Sequence, residues 1–119
     1  MSNIIGSFAF RNDGDGCLTS KFRNNIEPRP LTESSVKRNN DTTTINFEGV
    51  YDTVWPQEDG EAILEIEKVE PNNLFNLKWR TNDNIREIRF YGQGMLSEKC
   101  LVGAYWNKEV EALTEVFNR

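Results

Sequence analysis

Histidine is missing from the 119 residues of this chain, and cysteine occurs only twice. Without histidine, the chain lacks the commonest general base, metal ligand and catalytic-triad member. Cys17 and Cys100 have no imidazole to activate them, and zinc sites built from cysteine and histidine are excluded. We therefore expect two reduced, partly buried thiols in a protein that is not an enzyme and that uses no metal or cofactor.

Long apolar runs and basic clusters are also missing. No run approaches the ~18 residues that a membrane helix needs, and the N-terminus lacks the basic and then apolar start of a signal peptide. The net charge is −5, whereas nucleic acids and anionic membranes select cationic surfaces. We therefore expect a cytoplasmic protein that binds neither nucleic acid nor membrane. The length predicts a single domain, residues 1–119, with one core.

Apolar and polar residues alternate with a period of two along most of the chain, which is typical of strands with one buried face. The connections between the later runs are short and rich in Gly, Pro, Asn and Asp, so neighbouring strands must be antiparallel. We predict an all-β antiparallel meander of about eight strands, with the odd-numbered positions of 45–55 and 75–79 facing the interior. The alternating runs lie at 4–11, 17–23, 45–55, 62–69, 74–79, 85–96 and 100–106.

Two segments depart from this alternation. Residues 24–43 are polar and contain two prolines, which predicts one long loop; within it, LTESSVKR favours one or two helical turns capped by Thr32. Residues 107–119 fit a strand and a short helix capped by Asn107 equally well. The sequence leaves these two interpretations of the C-terminal segment open.

The stretch RNDGDGCLTSKF, residues 11–22, resembles a calcium-binding EF-hand loop. Such a loop needs carboxylates at its first and twelfth positions, and here those positions are Arg11 and Phe22. The flanking residues alternate as in strands, and Asp-Gly pairs are strong hairpin signals. We therefore expect a turn rather than a metal site, and no appreciable stabilisation by calcium.

Aromatic residues at the ends of predicted strands are the best candidates for a binding site. An aromatic side chain at a strand end, next to a turn, can line the opening of a barrel. The candidate ligand-binding residues are Tyr51, Trp55, Trp79 and Tyr105. The large residues at inward positions favour a filled interior, whereas we expect Gly92, Gly94 and Gly103 to leave space inside the barrel.

The segment Gly49-Val50-Tyr51, followed by Trp55, is similar to the Gly-x-Trp opening of the calycin group, the avidin- and lipocalin-like β-barrels. The run FYGQGMLSEKCLVGAYW also resembles the late strand pairs of such barrels. The resemblance covers about residues 44–106. It implies an up-and-down barrel of the kind that binds a small apolar or polar molecule in its interior, and many members of the group are oligomers.

Two functions from different classes remain open. In the first, the barrel binds a small molecule at an aromatic-lined mouth. In the second, its interior is filled by its own side chains and it associates with another copy of the chain. Small barrels of about eight strands occur in both forms, so the content of the interior distinguishes the two.

Overall fold

The computed structural model describes residues 3–38, 47–69 and 73–111, and in them eight antiparallel strands form a closed barrel. Each strand pairs with the next along the chain, and the first pairs with the eighth to close the barrel. The predicted all-β antiparallel meander of eight strands is confirmed. The strands are β1 (Ile5–Gly14), β2 (Cys17–Asn24), β3 (Leu31–Lys37), β4 (Gly49–Trp55), β5 (Gly60–Val69), β6 (Leu74–Arg80), β7 (Ile88–Ser97) and β8 (Cys100–Asn107).

The interior is lined by every second residue of the strands, as the period of two predicts. On β4, Tyr51 and Thr53 are buried, and on β6, Phe75, Leu77 and Trp79 are buried. These are the odd-numbered positions expected to face inward, and that prediction is confirmed; residues 45 and 46 lie outside the described part of the chain. A one-residue slip in register would turn each set toward solvent, so burial fixes the pairing.

The two ends of the barrel differ. At one end, which we call the closed end, apolar side chains fill the interior. At the other, which we call the open end, the barrel is bordered by the connections 25–30, 56–59 and 81–87. The side chains that fill the closed end are Phe10, Leu18, Phe47, Tyr51, Phe75 and Leu101, each no more than 5% exposed.

The stretch that resembles an EF-hand loop forms the β1–β2 hairpin at the closed end. Its two loop residues, Asp15 and Gly16, have φ angles of 55° and 76°, as a type I′ turn requires. The Asp13 carboxylate accepts hydrogen bonds from the Thr19 hydroxyl and from the Arg11 guanidinium, which lower its pKa. The predicted turn is confirmed. Among the residues described, no three His, Cys, Asp or Glu side chains are grouped as a metal site would require.

The prediction of one long loop over 24–43 is wrong. Residue 24 ends β2 and Leu31–Lys37 form β3, so the segment proposed as helical turns is a strand. Thr32 caps no helix there; its hydroxyl accepts a hydrogen bond from Lys21 of β2. The strand was missed because its buried positions include Glu33 and Ser35, whereas Val36 is 56% exposed.

The C-terminal segment begins as a helix. Strand β8 ends at Asn107, residues 108–111 are helical, and the Asn107 side-chain oxygen accepts a hydrogen bond from the Val110 amide. Residues 112–119 lie outside the described part of the chain. Among the described residues, no helix is long and apolar enough to span a membrane. Cys17 and Cys100 are half-buried and unbridged, as expected.

The three glycines expected to leave space inside the barrel do not do so. A Cβ on Gly92 would lie 2.9 Å from the Trp79 ring, and a Cβ on Gly94 would lie 3.2 Å from the Phe8 ring. A Cβ on Gly103 would lie 2.1 Å from the carbonyl oxygen of Gln93. The space that a side chain would occupy at each glycine is filled by neighbouring rings or backbone atoms, so these glycines allow close packing.

Candidate ligand-binding cavity

A cavity of about 110 Å³ occupies the open end of the barrel. Its position follows from the alternation, because the strand residues that line it face inward, and Glu58 of the connection 56–59 lies at its rim. An engineered apolar cavity of roughly 150 Å³ accepts benzene, so this space suits a small molecule or one end of a longer molecule. The lining residues are Ile4, Phe8, Phe22, Asn24, Glu33, Trp55, Glu58, Trp79, Phe90 and Tyr105.

The cavity wall is largely aromatic, and its rings pack in edge-to-face or tilted pairs. Tyr105 is central to this packing, with ring centroids 5.9 Å from Trp79, 5.9 Å from Phe90 and 6.1 Å from Phe22. The Phe8 and Trp79 rings are 6.1 Å apart. Packed aromatic pairs of this kind favour fixed relative orientations. The wall is therefore preorganised, a feature that reduces the entropic cost of binding.

Glu33 is a buried acid in this aromatic surrounding. It is 2% exposed, and its Oε2 accepts hydrogen bonds from the Thr53 hydroxyl at 2.6 Å and from the Trp79 indole at 2.9 Å. The Ser35 hydroxyl lies 2.7 Å from that of Thr53 and extends the network across β3 and β4. Burial raises the pKa of Glu33, and hydrogen bonds from Thr53, Trp79 and Trp55 offset part of that rise.

A second polar pair lies between β2 and β8. The Asn24 side-chain amide donates a hydrogen bond to the Tyr105 hydroxyl at 2.9 Å. The amide oxygen of Asn24 accepts from the backbone amides of Ile26 and Glu27, which fixes its orientation. Because the Tyr105 hydroxyl accepts from Asn24, it keeps its own proton to donate. Burial raises the pKa of Tyr105, so this proton is retained at neutral pH.

Three of the four candidate binding residues come together in this cavity. Trp55, Trp79 and Tyr105 lie at the open-end termini of β4, β6 and β8 and line the space. Tyr51 is not among the lining residues; it is fully buried, and its hydroxyl donates to the Phe47 carbonyl at 2.9 Å. Tyr51 precedes Trp55 by four residues, roughly 13 Å along a strand, and therefore lies toward the closed end.

Sequence reasoning missed the polar residues of the cavity, above all Glu33. It assigned Glu33 to a polar loop because the alternation on β3 is inverted, with polar side chains facing inward and Val36 facing outward. A signal was present, since Leu31, Glu33 and Ser35 keep the period of two. Sequence reasoning also missed three phenylalanines of the lining, Phe8, Phe22 and Phe90. In the sequence they look like ordinary core residues, because the candidates are chosen among Trp and Tyr residues next to predicted turns.

Comparisons of this chain with protein-family models, with curated proteins and with solved structures find no match. What the site can bind is therefore inferred from the cavity residues themselves. They offer a preorganised aromatic wall, a buried carboxyl group and a phenol with a proton to donate.

Proposed function

We propose that this protein is a non-enzymatic, calycin-like β-barrel that binds a small molecule in the aromatic-lined cavity at its open end. The observation that carries the proposal is Glu33, a charged residue type buried beside the cavity. Burying an acid costs free energy unless it is paired or hydrogen-bonded, so acids are seldom fully buried. A role in orienting a ligand gives a reason for Glu33 to be there.

The mixture of lining groups also supports binding. Small-molecule sites are concave and largely apolar, with a few polar groups that fix the orientation of the ligand. Here aromatic rings supply the apolar wall, and Glu33, Asn24 and Tyr105 supply the polar groups. The up-and-down topology is the one in which calycin-like barrels hold ligands inside.

Self-association is the second candidate, and the outer face of β3 and β4 favours it. Val36, Val50 and Val54 on that face are 56%, 41% and 42% exposed. However, Asp52 lies between the two valines of β4, opposite Val36, and pairs with Arg38, so charge interrupts the apolar surface. A self-associating module is expected to have a filled interior. Here side chains fill only the closed end, and the cavity at the open end favours the binding function.

Titration with a panel of small molecules tests the proposal. Benzene, phenol, choline and 3,3-dimethyl-1-butanol would each be added to isotopically labelled protein at millimolar concentrations. We expect at least one of them to shift the indole N–H signals of Trp55 and Trp79, which line the cavity, and to leave that of Trp106 unchanged. Trp106 lies outside the cavity lining and donates to Glu111.

The substitution Ile4→Phe provides a control in which a larger side chain fills part of the cavity. The Ile4 side chain lines the cavity, while its backbone carbonyl accepts a hydrogen bond from the Asn107 amide and holds the residue in place. The larger ring should weaken binding at least fivefold without unfolding the barrel. Shifts that persist in Ile4→Phe, or no shift with any molecule of the panel, would contradict the proposed function; a stable dimer that takes up none of them would favour self-association.

A further inference from the structure

The charged residues that line the cavity are all acidic. Of its ten lining residues, Glu33 and Glu58 are acidic and none is Lys or Arg. Two cations near this end engage other acids: the Arg29 guanidinium pairs with Glu27, and the Lys108 ammonium pairs with Glu87. A ligand that enters the cavity therefore meets carboxyl groups with no competing cation in the lining.

The aromatic wall adds a negative electrostatic potential to that of the acidic residues. Ring faces carry negative charge density, and a cation near an aromatic face is attracted by it, more strongly when water is excluded. Six of the ten lining residues are Phe, Tyr or Trp. Sites that recognise quaternary ammonium groups use this combination of several rings around one cation.

Building on the proposed function, we infer that the cavity binds an organic cation: an alkylammonium group enclosed by the aromatic rings, with the Glu33 carboxylate as its counterion. The two charges stabilise each other where water is excluded, because an opposite charge nearby favours the ionised form of an acid. The hydrogen bonds from Thr53 and Trp79 hold the carboxylate in one orientation. Glu58, which is exposed at the rim, attracts the cation from solution.

The size of the cavity limits the part of the ligand that is enclosed. A space of about 110 Å³ suits a head group of the size of a methylated ammonium. The remainder of the ligand extends through the open end between the connections 25–30 and 56–59. The site therefore selects the charge and shape of one end of the molecule.

A pair of probes of equal shape tests the inference. Choline and 3,3-dimethyl-1-butanol differ in that a quaternary nitrogen replaces a quaternary carbon, so their affinities compare charge alone. We expect choline to bind wild-type protein at least about tenfold more tightly than the alcohol in calorimetric or NMR titrations. Equal affinities would overturn the cation inference and leave the proposed function standing; binding of neither probe, with none of the neutral molecules binding, would remove both.

Glu33→Gln and Glu61→Gln form a matched pair of variants. Both replace a carboxyl group with an amide of the same shape, but Glu33 lies in the cavity and Glu61 is exposed on β5. We expect Glu33→Gln to weaken choline binding at least tenfold while changing the affinity for the alcohol less than twofold, and Glu61→Gln to change neither. If Glu33→Gln fails to fold, Glu58→Gln at the exposed rim should still weaken choline binding two- to fivefold, and unchanged choline binding in the folded variants would contradict the inference.

Discussion

Trp79 has two roles, one in apolar packing and one as a hydrogen-bond donor. Its ring is 4% exposed and packs against Phe8 and Tyr105, and its indole N–H donates to Glu33. Replacing it with a small residue therefore removes both apolar contacts and a hydrogen bond to a buried acid. Replacing it with Phe keeps most of the ring and removes the donor.

We expect Trp79→Ala to lower the free energy of unfolding by about 3–5 kcal/mol, as large-to-small core substitutions do. Trp79→Phe should cost about 1–3 kcal/mol, because Glu33 loses one of its donors. Trp106→Phe is the control: this half-buried indole lies outside the cavity, and its replacement should cost less than about 1 kcal/mol. Urea unfolding measures all three, and a Trp79→Phe variant as stable as the wild type would contradict the structural role of the bond to Glu33.

At the scale of the elements, the β7–β8 pair depends on the absence of side chains. Gly94 and Gly103 lie opposite each other across the two strands. A Cβ on Gly103 would lie 2.1 Å from the Gln93 oxygen and 2.7 Å from the Gly94 Cα. These neighbours are backbone atoms, which a change of side-chain rotamer cannot move away. The two strands would have to separate locally to accept a methyl group.

We therefore expect Gly103→Ala to destabilise the barrel by about 3 kcal/mol or more, the upper end for overpacked sites. Gly14→Ala is the matched control, because a Cβ there would have no neighbour within 4 Å and only the φ angle of 88° opposes it. That left-handed conformation costs an ordinary residue about 1–2 kcal/mol. The midpoints of thermal unfolding compare the two, and a Gly103→Ala variant as stable as Gly14→Ala would show that the strands can part.

At the scale of the whole molecule, the sequence predicts the barrel well and its cavity only in part. The strands with apolar inward positions, such as Gly49–Trp55 and Leu74–Arg80, follow from alternation and short connections. Strand Leu31–Lys37 does not, because it places Glu33 inside and Val36 outside. Tertiary contacts with Thr53 and Trp79 overcome the local preference there, and only the closed barrel brings those residues together. The polar part of the cavity is thus a property of the fold rather than of any one segment.

Glu33 should make the stability of the whole barrel depend on pH. Burial raises the pKa of Glu33 above its ordinary value of 4.5. Below pH 4.5 the acid is protonated in both the folded and the unfolded chain, so its contribution to stability is fully present. As the pH rises, the unfolded chain loses this proton first, and the contribution is lost up to the pKa of the folded state.

The range from pH 5 to 7.5 isolates this effect, because the chain has no histidine to titrate there. The half-buried Glu27, whose pKa Arg29 lowers to about 2, loses its contribution to stability only in stronger acid. We expect the free energy of unfolding in urea to fall between pH 5 and 7.5 for the wild type and for Glu61→Gln, and to stay level for Glu33→Gln. Parallel profiles for Glu33→Gln and the wild type would mean that the buried acid keeps the same charge in both states across this range. The slope would then have to come from other groups, and the pH dependence would no longer report on Glu33.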